Sequence, residues 1–329
     1  MNTPLARLLL AAAIAASCTG GGTRSSDRLT IAVIPKGTSH VFWQSIHAGA
    51  QRAGSELGVD IVWRGPLRED ERDSQIAEVE NAVSRGVSGI VLAPLDEAAL
   101  AAPVAGATRS GIPVVIIDSG LKGNDYVSFV ATDNEVGGRL GGEHLAKLLG
   151  GKGKVVMLRY AEGSESTNRR EAGFLAAMKA SPGIQVVSEN QYGGADVEGA
   201  YKKGETLLSR FKSPDGSLGI DGIFCPNEST TFGMLRVLQD NGWAGKVRFV
   251  GFDASNNLVK GLKDGHIDGL VLQDPMRMGY VGVKTVVSHI KGEKVERRID
   301  TGVRVATRDT MDQPDIKELL SPDLSKWLK

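Results

Sequence analysis

Short apolar segments rich in β-branched residues alternate with amphipathic segments of helical period along most of this chain. Residues 29–35 and 113–117 are typical of buried strands, whereas residues 72–85 have the apolar spacing of a helix. Strands that alternate with helices predict βαβ units, which form a mostly parallel sheet with helices on both faces. The alternation starts again near residue 134, and two sets of about five strands predict two similar α/β lobes. We expect a last strand over residues 299–305, and a polar tail with one packing aromatic, Trp327, at the final residues.

Polar side chains follow several of these predicted strands, at the point where each strand ends. Asp118, Asn227, Asp253 and Gln273 each come directly after a predicted strand or within two residues of its end. Each one alone is also a favoured turn or N-cap residue, as we expect for Asp133. Their recurrence in both halves favours one shared site, because the carboxyl ends of parallel strands face the ligand crevice. Side chains that donate and accept hydrogen bonds suit a ligand covered in hydroxyls, which predicts a monosaccharide or polyol cleft between the lobes.

Two adjacent aromatic residues and a histidine follow the turn after the first strand. The turn is formed by residues 36–38, and His40, Phe42 and Trp43 then stand just before a helix predicted over residues 44–57. Aromatic faces suit the apolar face of a sugar ring, so we interpret the cluster as a ligand contact. The alternatives are that one aromatic packs beneath the helix, or that the cluster binds a cationic group through cation–π contact.

The first residues have the pattern of a secretion signal. Arg7 precedes an apolar segment, residues 8–16, which is too short to span a bilayer. Small residues then lead into Cys18, which resembles a bacterial lipoprotein signal with Cys18 as the lipidated residue; ordinary secretion is the alternative. We therefore expect a signal peptide over residues 1–18, a flexible tether over residues 19–28, and a location in the periplasm or cell envelope, with a lipid anchor as the sole membrane attachment.

The remaining composition argues against several other classes of protein. The net charge is zero, whereas a nucleic-acid surface needs a basic excess. The five histidines match no metal-binding spacing, no catalytic motif is present, and we predict neither a cofactor, a metal nor an enzymatic activity. A transcriptional regulator would need a helix-turn-helix segment ahead of the first strand. The other cysteine, Cys225, ends an apolar segment and is expected to be a small buried hydrophobe.

Several motifs together resemble the periplasmic sugar-binding proteins of bacterial ABC transporters, of the ribose-, galactose- and xylose-binding type. The resemblance covers essentially the whole chain from residue 29 to the last strand. Its motifs are FW at 42–43, IPVVIIDS at 112–119, VATDN at 130–134, STNRREAGF at 166–174, PNE at 226–228, VGFDAS at 250–255 and LVLQDP at 270–275.

The resemblance implies two Rossmann-like lobes with parallel sheets, joined by a three-segment hinge, with the ligand cleft between them. It implies an N-terminal lobe of residues 29–131 plus 274–302, a C-terminal lobe of residues 132–273 plus 303–320, and a tail over residues 321–329. It also implies a monomer that captures a small-molecule ligand, and an ABC transporter permease as the partner. A ligand-sensing role beside a chemoreceptor or sensor kinase stays open, because both roles use the same closed form.

The resemblance also assigns site residues, by position in this sequence. His40, Phe42 and Trp43 are the first-loop contacts, Asp118 is the carboxylate of the first lobe, Asn227 and Asp253 belong to the second lobe, and Gln273 is the hinge amide. Two positions depart from the ribose-binding pattern, because Ser119 and Asn168 replace arginines, with Arg170 two residues further on. We count Ser119, Asn168 and Arg170 as candidate contacts, and the departures argue against ribose itself.

Overall fold

Two six-stranded sheets form the framework of the protein, which we describe from a computed structural model over residues 28–328. The first sheet has the strand order β11-β5-β4-β3-β1-β2 and the second has the order β12-β10-β9-β8-β6-β7. All strand pairs are parallel except β10 with β12. The predicted leader, Cys18 and the tether through residue 27 lie outside the described residues.

The strands are β1 (Thr30–Ile34), β2 (Asp60–Trp63), β3 (Gly89–Leu92), β4 (Val114–Ile117), β5 (Ser128–Ala131), β6 (Lys152–Arg159), β7 (Gly183–Tyr192), β8 (Gly222–Phe224), β9 (Arg248–Phe252), β10 (Gly269–Leu272), β11 (Arg298–Asp300) and β12 (Arg304–Ala306). The helices are α1 (Val41–Leu57), α2 (Arg72–Ser84), α3 (Ala101–Arg109), α4 (Asn134–Leu148), α5 (Glu165–Lys179), α6 (Val197–Ser209), α7 (Glu228–Asp240), α8 (Asn256–Asp264), α9 (Pro275–Ile290) and α10 (Pro314–Leu320).

Helices cover both faces of each sheet, and this defines two lobes. In the N-terminal lobe, α1 and α9 lie on one face of the first sheet and α2 and α3 on the other. In the C-terminal lobe, α4 and α5 cover one face of the second sheet, and α6, α7, α8 and α10 cover the other. Strands β3, β4 and β10 are buried along their whole length, as parallel strands between two helical layers must be. The predicted α/β fold with two lobes is confirmed.

The chain passes between the two sheets three times. The first crossing joins β5 to α4, the second joins β10 to α9, and the third joins β11 to β12. The side chains at these crossings are buried rather than solvated: Thr132, Gln273 and Thr301 are each less than a tenth exposed. The lobes are therefore joined by short segments that lie side by side.

Close helix crossings at glycine occur in both lobes. A Cβ atom on Gly49 of α1 or Gly279 of α9 would lie 1.9 or 2.1 Å from a carbonyl oxygen of the facing helix. In the C-terminal lobe the same holds for Gly138 of α4 and Gly173 of α5, at 1.8 and 2.0 Å. No real Cβ tolerates such distances, so these four glycines allow the helix backbones to touch. The contact at Gly138 is with the carbonyl oxygen of Arg170, so it fixes the position of that residue.

Some predicted boundaries are wrong. Helix α1 begins at Val41 rather than residue 44, because His40 is the last extended residue, with φ −86° and ψ 149°. The single strand predicted over residues 299–305 is two strands in different sheets, separated by Gly302 at φ 86°. Between the last strand and the predicted tail over residues 321–329, α10 buries Ile316 and Leu320 against the second sheet. Among residues 28–328 no helix combines the length and apolarity needed to cross a membrane.

Candidate functional site

Two aspartates occupy equivalent places at the ends of central strands, one in each lobe. Asp118 follows β4 and Asp253 follows β9, and both have positive φ, at 61° and 70°. Among residues 28–328 they are the only non-glycine residues in this region. Such a conformation is costly and is retained where the surroundings impose it, often at binding sites. Both side chains are buried and face the gap between the sheets.

A small cavity lies between the lobes at these strand ends. Its lining from the N-terminal lobe is Lys36, His40, Phe42, Trp43, Glu69 and Asp118. Its lining from the C-terminal lobe and the second crossing is Tyr160, Ser166, Thr167, Arg170, Asn227, Glu228, Asp253 and Gln273. The cavity is therefore mostly polar, with three cationic and four acidic side chains, and both lobes are needed to complete it.

Lys36 is a buried cation on the N-terminal side of the cavity. Its ammonium group lies 3.0 Å from Asp118 Oδ2 and donates to the hydroxyls of Ser166 and Ser164 at 3.0 and 3.3 Å. The serines belong to the opposite lobe, so Lys36 neutralises Asp118 and also links the two lobes. Lys36 lies in a predicted turn and is not among the predicted contacts, although a lysine directly after a buried strand is an available signal.

Arg170 lies between the two aspartates. Its guanidinium nitrogens are 3.9 Å from carboxylate oxygens of both Asp118 and Asp253, and its plane covers the ring of Phe252 at 4.1 Å. Its Nε donates to Asn134 Oδ1 at 2.8 Å, which holds the side chain in place. Arg170 is only 2% exposed, so its charge acts inside the site rather than in solvent.

Glu69 organises the aromatic wall of the cavity. One carboxylate oxygen accepts from Trp43 Nε1 at 2.7 Å and from His40 Nδ1 at 2.6 Å, and the other accepts from Tyr160 at 2.5 Å. Phe42 packs edge-on against Trp43, with ring centroids 4.9 Å apart. Glu69 therefore determines the positions of three side chains, and through Tyr160 it links the lobes.

The same carboxylate controls the charge of His40. Burial alone lowers the pKa of His40, but the hydrogen bond and charge of Glu69, helped by Glu228 and Asp253, raise it to about 9. Burial favours the neutral form of Glu69, yet its contacts with His40, Lys36 and Tyr160 lower its pKa to about 2. At neutral pH the two form a buried ion pair.

The C-terminal lobe contributes the start of α7. Asn227 is the N-cap of this helix, since its Oδ1 accepts from the backbone N–H of Thr230 at 3.2 Å. Glu228 follows, and burial, with the neighbouring acids, raises its pKa to about 7 despite the charge of His40. Its backbone N–H donates to Asp253 Oδ2 at 3.1 Å, so α7 and the end of β9 are tied together.

Gln273 lies on the second crossing and donates to Asp253 Oδ1 at 2.6 Å. Its own oxygen, Oε1, is the only fully buried side-chain polar atom among residues 28–328 without a hydrogen-bond partner. Leaving such an atom unsatisfied costs about 1–3 kcal/mol. Burial raises the pKa of Asp253, against the charge of Arg170 and the Gln273 hydrogen bond.

Eight of the ten candidate residues lie on the cavity wall: His40, Phe42, Trp43, Asp118, Arg170, Asn227, Asp253 and Gln273. Ser119 lies beside the cavity, where its hydroxyl accepts from the backbone N–H of Ser166 at 3.1 Å. Asn168 lies on another face of α5, because Ser166, Thr167 and Arg170 occupy the face toward the cavity.

Six cavity residues were not predicted as contacts from the sequence: Lys36, Glu69, Tyr160, Ser166, Thr167 and Glu228. Glu69 lies in a charged segment, and such segments usually form solvent-exposed loops. Tyr160 follows β6 but belongs to none of the motifs quoted from the sequence. Glu228 belongs to the PNE motif, so that motif is the available signal for it. Within the described chain, no group of three or more His, Cys, Asp or Glu residues is placed to hold a metal ion.

Comparisons with known proteins agree with this arrangement. A family model described as a periplasmic binding protein domain matches residues 31–294. The ribose import binding protein RbsB of Haemophilus influenzae is 30% identical over 283 residues, which cover 85% of this chain and 92% of that protein. The xylitol-binding protein of Mycolicibacterium smegmatis is 25% identical, over 77% of this chain and 70% of that protein.

Solved structures give the same result. A carbohydrate transporter solute binding protein from Agrobacterium radiobacter, in complex with D-arabinose, superposes with a TM-score of 0.85 and 35% identity, over 90% of this chain and all of that one. An ABC transporter solute binding protein from Agrobacterium vitis with bound D-fucose has a TM-score of 0.84 and 36% identity, over 89% of this chain and all of that one. Since the family model also matches well over half of the sequence, the chain belongs to the periplasmic binding protein family.

Proposed function

We propose that this protein is an extracytoplasmic solute-binding protein that captures a monosaccharide or polyol between its lobes and delivers it to an ABC importer. Its relatives are named for, or were solved with, ribose, xylitol, D-arabinose or D-fucose, and these ligands support the proposed ligand class. The eight candidate residues on the cavity wall are proposed as direct ligand contacts, with Ser119 beside them; Asn168, on another face of α5, is not included.

The observation that carries the proposal is the unsatisfied oxygen of Gln273, beside Asp253, in a cavity lined by polar side chains. A ligand hydroxyl can donate to this oxygen and so remove the cost of leaving it unpaired. Phe42 and Trp43 supply apolar surface for the carbon face of a sugar ring.

Capture follows from the division of the site between two lobes. Asp118 and the aromatic wall belong to the N-terminal lobe, whereas Asp253 and Arg170 belong to the other. A ligand contacts the residues of both lobes only when the lobes are closed, so it binds the closed form more tightly than the open form. This difference in affinity shifts the population toward the closed form. The three crossings, near residues 132–133, 273–274 and 301–303, are the proposed hinge, and they follow the predicted division of the chain into lobes.

The partners and location follow the same proposal. We propose that the protein acts as a monomer, without enzymatic activity, in the periplasm or cell envelope, and that the closed lobes dock on a transporter permease. Lipidation at Cys18 is proposed as its membrane anchor. Mass spectrometry of the mature protein from membranes tests this, since a diacylated cysteine would be its first residue.

A ligand screen tests the proposed function. Thermal unfolding of the purified protein is measured with D-ribose, D-arabinose, D-fucose, xylitol, amino sugars and choline. A ligand that binds only the folded state raises the melting temperature. We expect a rise of several degrees with one neutral sugar or polyol and none with its epimer. A rise with choline alone would replace the proposal with the cationic alternative, and no rise with any compound would contradict it.

A further inference from the structure

The charges of the cavity do not balance, and Glu228 is the residue left over. Lys36 faces Asp118 at 3.0 Å and His40 faces Glu69 at 2.6 Å. Arg170 lies between the two aspartates, at 3.9 Å from each. Each cation thus has its own carboxylate, whereas within residues 28–328 the carboxyl group of Glu228 forms no ion pair.

Within residues 28–328, only one of the two carboxylate oxygens of Glu228 accepts a hydrogen bond from the protein. One oxygen, Oε2, accepts from the backbone N–H of Phe42 at 3.4 Å, across the gap between the lobes. In the described chain no protein donor reaches the other oxygen, Oε1, although the residue lines the cavity. Helix α1 has no side-chain N-cap hydrogen bond and no acidic residue in its first turn, so Oε2 supplies an acceptor that its N-terminus lacks.

We propose that Glu228 is a specificity-determining residue of the ligand site: its Oε1 accepts a hydrogen bond from a hydroxyl of a neutral sugar or polyol and excludes sugars that carry a carboxylate. This inference rests on the proposed function and adds a residue to it. Glu228 is the first residue of α7, and its other oxygen contacts the start of α1.

The exclusion of acidic sugars follows from the same charge count. A uronic acid brings a further carboxylate into a cavity with four acidic groups and three cations, each cation already paired. Burying an unpaired charge is costly, and a second carboxylate nearby increases the cost. A neutral hydroxyl instead donates to Glu228 without adding charge.

The test compares Glu228→Gln with a matched control, Glu165→Gln. Glu165 is also the first residue of a C-terminal-lobe helix, and its Oε2 likewise accepts a backbone N–H of the other lobe, from Gly120 at 2.9 Å. It does not line the cavity. Glutamine keeps an oxygen for the inter-lobe bond in both variants, so only the variant at 228 exchanges a cavity acceptor for an amide and removes a cavity charge.

Isothermal titration at pH 8 measures the binding of the neutral sugar found in the thermal screen, and of D-galacturonate and D-glucuronate, to the parent and both variants. We expect Glu228→Gln to lose at least tenfold in affinity for the neutral sugar, and the preference for neutral sugar over uronate to shrink by a similar factor. Glu165→Gln should stay within about twofold of the parent. The preference compares two ligands on one variant, so it is insensitive to a change in folding stability.

Two results would overturn the inference while leaving the proposed function in place. The first is that Glu228→Gln binds the neutral sugar as tightly as the parent protein does. The second is that both glutamine variants lose affinity equally, which would mean that Glu228 acts only through lobe closure. If the parent protein binds no neutral sugar, the proposed function fails, and the inference fails with it.

Discussion

The buried pair of His40 and Glu69 should make the stability of this protein depend on pH in a defined window. The pKa of His40 rises from 6.5 to about 9 and that of Glu69 falls from 4.5 to about 2, so both changes are of equal size. At about 1.4 kcal/mol per pH unit, each corresponds to about 3 kcal/mol. These are net shifts, in which burial opposes the contacts with neighbouring groups, and the mutual contact of His40 and Glu69 is the largest favourable contribution to each. Counted once, the pair stabilises the fold by on the order of 3 kcal/mol.

The signs of the two shifts set the limits of the window. Because the pKa of His40 is raised in the folded state, its contribution is complete below pH 6.5 and is lost as the pH rises through 9. Because the pKa of Glu69 is lowered, its contribution is complete above pH 4.5 and is lost as the pH falls through 2. The pair therefore stabilises most between pH 4.5 and 6.5.

A double-mutant cycle with Glu69→Gln and His40→Asn measures this directly. Urea unfolding at pH 6 should give a coupling free energy of about 3 kcal/mol, and at pH 10 the value should fall below about 1 kcal/mol. The cycle cancels any change in the Tyr160 and Trp43 hydrogen bonds, because the same change occurs in both variants that carry Glu69→Gln. A coupling energy that is the same at both pH values would refute the assignment of His40 as a buried cation.

Three further predictions follow from particular contacts. Asp253→Ala should weaken ligand binding by about 2 kcal/mol or more in isothermal titration, since it leaves the amide of Gln273 without its partner; unchanged affinity would remove Asp253 from the site. Gly279→Ala should lower the free energy of unfolding in urea by about 3 kcal/mol, because its Cβ would lie 2.1 Å from a carbonyl oxygen of α1. The control Gly106→Ala, with no atom closer than 3.9 Å, should be neutral or raise it by up to about 1 kcal/mol, and equal losses would contradict the packing argument. Burial raises the pKa of the Cys225 thiol, so Ellman's reagent should modify it only as fast as the protein unfolds; rapid labelling of the folded protein would show that the thiol is accessible.

The alternation of apolar strand segments with amphipathic helix segments predicted the two lobes and the parallel sheets. It also predicted the strand ends at which Asp118, Asp253 and Gln273 lie. These features could be predicted because buried strands are contiguous in sequence and because the carboxyl ends of parallel strands share one edge. The capping role of Asp133 is confirmed, since its Oδ1 accepts from Val136 N–H, and Cys225 is buried as expected.

The contacts that cross the gap between the lobes could not be predicted from local pattern. Glu69 meets Tyr160 across 91 residues of sequence, and Lys36 meets Ser166 across 130. Nothing in the charged segment around Glu69 separates a buried carboxylate from the solvent-exposed ones beside it. The single strand predicted over residues 299–305 is wrong for a related reason. The alternation of apolar and polar residues is the same whether these residues join one sheet or are divided between two sheets.

The threading of the chain also determines the order in which the lobes can finish folding during synthesis. Helix α9 packs on α1 in the N-terminal lobe, yet it is made after β6 through β10 and α4 through α8 of the other lobe. The C-terminal lobe therefore has most of its interior before the N-terminal lobe can close over Gly49. The lobe that begins the chain is completed late, because the apolar face of α1 has no α9 to pack against until that helix is made.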